Sequence, residues 1–225
     1  MAKYHLDWAF KFYHLLGMVE DEKLKAQSHS LISRIDLSSD EISMMRQASD
    51  AMIFSYDAHL KLYAQDDSFL SKPVWPFETA DPEKKPLLLH YHPLHIYRHQ
   101  VLKQADTLLA HMLLEHYATD SDIENAYHYY EKLTTHDSSL SSCIYGIMAS
   151  RTGQGEKAYD YFKESIDLDR HDTHKNTKDG LHMANMGGTI LSISAGFAGL
   201  RISENGLSFK PQKPAHWSSY SFKLR

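Results

Sequence analysis

The chain has 225 residues, 42% hydrophobic and 24% charged, with 10 Gly, 7 Pro and one Cys, a composition that excludes disordered, collagen-like and disulfide-scaffold classes. A net charge of −5 leaves no basic face for a nucleic acid, and the single Cys143 cannot pair within the chain, which suits a reducing compartment. Sixteen histidines make the charge sensitive to pH near neutrality and raise the question of a metal.

Residues 2–16 place Tyr4, Leu6, Trp8, Phe12, Tyr13, Leu15 and Leu16 nearly all round a helix that stops at Gly17, so this helix is expected to be buried on most sides. Lys3, His5, Asp7 and Lys11 interrupt the segment, and it is not a signal peptide. Ser38, Ser39 and Asp40 start a second helix through Ile42, Met45, Ala48 and Ala51. Prolines at 73, 76, 82 and 86 make the following stretch irregular. The longest helical pattern starts at Pro93 and runs to about residue 117, with Leu94, Tyr97, Val101, Ala105, Leu108 and Met112 as its core stripe. Helices over about 121–133, 139–152 and 155–168 follow as antiparallel hairpins, the last two joined at Gly153 and Gly155. Residues 171–182 form a polar loop, and 183–199 an uncharged helix whose polar residues and glycines suit enclosure by protein better than lipid. The period then changes to two, with a hairpin turning at Glu204-Asn205-Gly206 and a last strand at 219–224.

His90, His92, His95 and His99 have helical spacing, but no carboxylate or Cys joins them and Pro93 puts His92 outside the helix, so they read as polar positions at a helix head and no metal is assigned. Two loop-to-helix junctions have the character of anion cradles. His136-Asp137-Ser138-Ser139-Leu140-Ser141 offers hydroxyls near exposed N–H groups, and Thr177 to His182, followed by Met186-Gly187-Gly188-Thr189, adds glycines, Lys178 and His182. Simple capping and close helix packing at glycine account for the same residues.

The runs Leu87-Leu88-Leu89-His90-Tyr91, Tyr97-Arg98, Gln100 to Asp106, His136 to Ser141 and Thr177 to His182, in this order and spacing, resemble successive signature segments of glycoside hydrolase family 65, which includes the maltose, kojibiose and trehalose phosphorylases. Gly206-Leu207-Ser208-Phe209 and the stretch from Trp217 to Leu224 resemble the end of its catalytic domain. The resemblance implies a mainly α fold, a partial (α/α)6 barrel holding about half of the helices over residues 1–199, with 183–199 as an inner-ring helix. A short C-terminal β hairpin and strand region over 200–225 follows.

The resemblance also implies an inverting disaccharide phosphorylase: phosphate attacks the anomeric carbon of an α-glucoside and a Glu protonates the departing oxygen, giving β-glucose 1-phosphate. Carried over by match, Lys103 and Gln104 bind glucose, and His182, Gly187, Gly188 and Thr189, with Ser138 and Ser139, lie at phosphate. Phosphate arrives as co-substrate and no cofactor is implied. The family's Glu lies upstream of a segment resembling Met1-Ala2-Lys3, so no catalytic residue is assigned within the chain, and inactivity alone is expected. The implied partners are the disaccharide and phosphate, with an N-terminal half or a second copy completing the site; neither nucleic acid nor membrane is expected, and the location is cytoplasmic. The alternatives are a non-catalytic helical sugar- or phosphate-binding or scaffold protein, and one half of a split enzyme.

Overall fold

The computed structural model describes residues 1–203 and 205–224 and divides into two units, residues 1–54 and 55–225. The first holds α1 (Ala2–Gly17), α2 (Glu22–Ile35) and α3 (Ser39–Asp50). Ser38 opens α3 as the sequence predicts, accepting from Glu41 N–H at 3.1 Å while the Glu41 carboxylate takes the Ser38 N–H at 3.2 Å. Polar contacts fasten α1 to α3: Lys3 Nζ donates to Ser49 O at 2.9 Å, and Asp7 holds the buried Ser49 hydroxyl. No residue of α1 is buried, contrary to expectation, and Phe12 is 55% exposed. Its aromatic residues instead make a row along the helix, with Trp8 5.0 Å from Phe12. Helix α2 has no counterpart among the expected elements; Asp21 starts it by accepting from Leu24 N–H and Asp36 ends it in the left-handed region.

The second unit opens with a small antiparallel pair, β1 (Tyr56–Asp57) and β2 (Leu62–Tyr63). An irregular stretch carries two single turns of helix, α4 (Leu87–His90) and α5 (Pro93–Ile96). The long helix expected from Pro93 therefore ends after one turn. Residues 97–105 leave the helix through a turn and run on without regular structure, because the backbone at Gln100 and Leu102 finds partners elsewhere: Gln100 N–H donates to Pro73 O at 2.8 Å, Leu102 N–H to Leu133 O at 2.8 Å, and Thr135 N–H to Leu102 O at 2.8 Å. Of the expected stripe, Ala105 and Leu108 are buried, whereas Leu94 and Tyr97 face solvent.

From there the fold is helical: α6 (Asp106–Leu113), α7 (Asp120–Glu131), α8 (Ser141–Arg151), α9 (Gly155–Asp167) and α10 (Met183–Leu191), the last continuing as a π-helical turn, Ser192–Phe197. Thr119 and Asp122 form a capping box at the start of α7. Every residue of α8 from Ser141 to Ser150 is buried, because α6, α7, α9 and α10 all pack on it. Leu108, Ile123, Ala126, Tyr127, Tyr130, Tyr145 and Met148 make the core around it. The α8–α9 turn uses Gly153 at φ +80°, a conformation that only glycine adopts without strain. Helix α10 is not enclosed all round: its Asn185 and Gly188 are buried while Met183 and Ile190 lie exposed.

Hairpin β3 (Arg201–Ser203) and β4 (Gly206–Ser208) pairs as expected, although Glu204 of its turn lies outside the described residues. No strand forms over 219–224; the segment is anchored by side chains instead, with Trp217 against Phe197 at 5.0 Å and beside Tyr220 at 5.8 Å. The molecule is thus mainly α, built of helical hairpins followed by a short β hairpin. Among the described residues no helix is long and apolar enough to cross a membrane.

Candidate functional site

Lys103 and Gln104 sit in the irregular segment just before α6. The bridge between Leu102 and Thr134 lays this segment alongside 133–135, and beyond it Gln104, two residues past Leu102, meets Ser138, four past Thr134. Ser138 Oγ donates to Gln104 Oε1 at 2.7 Å, and Gln104 Nε2 donates to Asp106 Oδ1 at 2.9 Å. Both amide atoms are thereby oriented. Lys103 is exposed and lines a cleft of about 300 Å3 together with Leu87, Leu88, Leu89, Tyr97 and Asp137. Asp137 is a member of this wall that the sequence reading did not single out. Its Oδ2 accepts the Leu87 N–H at 3.1 Å and so ties α4 to the 136–141 turn.

That turn is held from beneath. His136 adopts φ +56°, its Nδ1 lies 2.8 Å from Ser141 Oγ, and its ring stands 4.8 Å from the Tyr145 ring. Burial pushes the imidazole below its usual value, against the raising influence of Glu164 and Glu131. Tyr161, whose hydroxyl is raised by burial, donates to Glu131 Oε1 at 3.0 Å, and Lys157 Nζ meets the same oxygen at 2.5 Å. Burial raises the Glu131 carboxyl, but Lys157 and Tyr161 outweigh it and the net shift is downward. Ser139 follows, half-buried, directly before the first turn of α8.

His182 stands at the head of α10. Asp169 takes its ring Nδ1 at 2.5 Å and its backbone N–H at 2.9 Å, and the first of these contacts holds the Asp169 carboxyl below the usual carboxylate range. The ring's Nε2 is 3.4 Å from Asn176 Nδ2. Gly187 is exposed, with nothing within 4 Å of where a Cβ would stand. Gly188 is buried, and a Cβ there would lie 2.4 Å from Cys143 Sγ, so this glycine lets α10 approach α8. Thr189 Oγ1 donates back to Asn185 O at 2.9 Å.

The predicted residues therefore form two groups. Lys103 lines the cleft with Gln104 next to it in the chain and hydrogen-bonded to Ser138, Ser139 follows Ser138, and His182, Gly187, Gly188 and Thr189 follow α10. Among the described residues no hydrogen bond joins the groups directly. They are linked through the first turn of α8, where Cys143 meets Gly188 and Ser141 meets His136. A cleft with an exposed lysine beside an oriented amide, and a helix head carrying a fixed imidazole, can bind a polyhydroxylated ring and an anion respectively.

The family model for the glycosyl hydrolase family 65 central catalytic domain matches residues 1–191. The chain is 52% identical over 226 aligned residues to an alpha,alpha-trehalose phosphorylase of Geobacillus stearothermophilus, covering 100% of this chain and 29% of that protein. It is 38% identical to the alpha,alpha-trehalose phosphorylase of Thermoanaerobacter brockii, with the same coverage of 100% and 29%. A solved structure described as a putative kojibiose phosphorylase from human microbiome superposes with a TM-score of 0.79 at 29% identity, covering 96% of this chain and 30% of that one. The chain thus spans about 29% of the length of the curated relatives it matches. By the family match over residues 1–191, it belongs to glycoside hydrolase family 65.

Proposed function

We propose that the chain supplies the sugar- and phosphate-binding wall of an inverting disaccharide phosphorylase whose substrate is α,α-trehalose. The observation that carries this reading is the 52% identity to a trehalose phosphorylase along the whole chain, against 29% to the kojibiose phosphorylase structure. In the proposed reaction phosphate attacks the anomeric carbon of one glucose, the glycosidic bond breaks, and the departing oxygen takes a proton, yielding β-glucose 1-phosphate and glucose. Phosphate needs no general base because it is already anionic; it needs a positioned anion site. His182, Gly187, Gly188 and Thr189 at the head of α10, with Ser138 and Ser139, are the residues we assign to it, and Lys103 and Gln104 to the glucose whose bond is cleaved.

Proton delivery is assigned to a carboxylic acid outside these 225 residues. The carboxylate that lines the cleft, Asp137, accepts the Leu87 N–H. Loss of general-acid assistance costs about 10²- to 10⁴-fold in rate. The exposed side chains of Leu89 (76%) and Ile190 (71%) favour a partner, either the remainder of such an enzyme or a second copy. The test is direct: purified chain is incubated with trehalose and inorganic phosphate, and glucose 1-phosphate is measured. None is expected from the chain alone; its release would overturn the assignment of the acid. Calorimetric binding of glucose that is lost in Lys103→Ala supports the sugar assignment, and unaltered binding in that variant refutes it.

A further inference from the structure

The strongest unexplained feature near the site is the double hold of one carboxylate on one histidine. Asp169 and His182 are largely withdrawn from solvent, with side chains 10% and 19% exposed. The two oxygens of Asp169 have separate tasks: Oδ1 meets the ring Nδ1 at 2.5 Å and Oδ2 accepts the backbone N–H at 2.9 Å. This pins both the ring and the residue that opens α10. An ionised carboxylate only accepts hydrogen bonds, so the proton of the neutral imidazole resides on Nδ1, and Nε2 carries a lone pair. The lone pair is met by a donor, the Asn176 side-chain N–H, at a long 3.4 Å. The Asn176 oxygen is buried without a partner, so the amide is poorly satisfied in this position and is readily displaced by a better donor. Asp172 and the His174 ring, 6.2 Å from His182, complete the surroundings.

We propose that Asp169 is a positioning residue that locks His182 in its Nδ1–H tautomer, so that Nε2 accepts a hydrogen bond from the P–OH group of monohydrogen phosphate, displacing Asn176. The inference rests on the phosphate site proposed above and gives it a selectivity. Monohydrogen phosphate has a hydroxyl to donate; sulfate has the same shape and charge and none. A lone-pair acceptor therefore favours phosphate and repels sulfate, and it leaves the remaining phosphate oxygens free for other donors and for attack.

The experiment uses the whole chain in slightly alkaline buffer with inorganic phosphate as probe and sulfate as control. Long-range 1H–15N NMR of His182 is expected to show a protonated Nδ1 and an unprotonated Nε2, with only Nε2 responding to phosphate. Calorimetry is expected to give phosphate an advantage over sulfate of about tenfold or more, the scale of one satisfied hydrogen bond against a buried unpaired group. In Asp169→Asn the tautomers mix, phosphate binding weakens by about 10- to 100-fold as for other partners that orient a histidine, and the preference over sulfate collapses; Asp169→Glu restores part of it. A protonated Nε2 in the unaltered chain overturns the proposal without any variant, and so does an unchanged phosphate-to-sulfate ratio in Asp169→Asn. Failure of the underlying site is a different result: His182→Ala would then bind phosphate as tightly as the unaltered chain, while the NMR spectrum still reads whether Asp169 holds the ring.

Discussion

Replacing Gly188 by alanine adds a Cβ that stands 2.4 Å from Cys143 Sγ and 2.8 Å from Cys143 Cβ. The sulfur can swing away by rotation about its own bond, but the Cβ is fixed to the backbone of α8, so the two helices must separate by about 1 Å to reach ordinary van der Waals contact. Overpacking of this kind costs about 1 to 3 kcal/mol, and the distance places Gly188→Ala at the upper end. The alanine returns about 1 kcal/mol in helix propensity, leaving a net loss of about 2 kcal/mol. For a chain of this size that is a fall of about 4 to 8 °C in melting temperature. Its neighbour Gly187 gives the opposite sign: exposed, with nothing within 4 Å of the added carbon, Gly187→Ala stabilises by about 1 kcal/mol. Denaturant unfolding of both variants measures the difference, and a double-mutant cycle locates its cause. Cys143→Ala, which removes the sulfur and keeps the Cβ, relieves Gly188→Ala only in part; Cys143→Gly, which removes both, shows a larger favourable coupling. A Gly188→Ala chain as stable as the original, or one whose loss is unaffected by either change at Cys143, would refute the reasoning.

Two further outcomes follow from single residues. His111 is buried with ring Nε2 unpartnered, and burial, assisted by the Arg151 charge and opposed by Asp122, lowers its imidazole to about 4. The unfolded chain binds that proton near pH ~6.5 and the native chain refuses it until about 4, so this contribution is complete above ~6.5 and declines as pH falls through that window, by about 3 kcal/mol. Denaturation midpoints should drop correspondingly, and His111→Gln should flatten the slope; an equally steep slope in that variant contradicts it. Gly199 lies at φ +61°, and a Cβ there would meet Lys210 O at 2.2 Å and Lys210 C at 2.7 Å, backbone atoms with no rotation available. Gly199→Ala therefore costs about 3 kcal/mol or more, combining left-handed strain with a backbone clash, and a thermal melt within about 2 °C of the original would show that the 210 segment yields freely.

The elements that sequence made legible are those whose ends are written in local chemistry. Ser38 starts α3, Gly153 turns α8 into α9, and Asn205-Gly206 turns the hairpin, so the expected bounds are close to those found. Helix α2 escaped because its apolar residues are few and its start depends on Asp21, one unremarked carboxylate accepting from Leu24 N–H. The last strand failed because alternation alone supplies no partner: Trp217 and Tyr220 pack as side chains on α9 and the π turn, and the backbone of 219–224 joins no ladder. At the candidate site, residue types could be read but partners could not. Asp169 is 13 residues from His182, and Gln104 is 34 from Ser138, separations that no local period encodes.

The break at 97–105 decides where Lys103 and Gln104 lie. Steps of three and four among Leu94, Tyr97, Val101, Ala105 and Leu108 satisfy a helix, and on that helix Lys103 points away from the core stripe, with no route to Gln104's partner. The competing force is distant: Gln100 gives its side-chain N–H groups to Leu70 O and Lys72 O, at 3.3 and 2.6 Å, and its backbone N–H to Pro73 O at 2.8 Å, more than one helical bond returns. With the helix ended, Leu102 is buried on its bridge to Thr134, Lys103 lines the cleft, and Gln104 meets Ser138. The local propensity was overruled at the segment that carries the candidate sugar contacts, which is where a conflict between local and global preference is expected to fall in a protein shaped by its site.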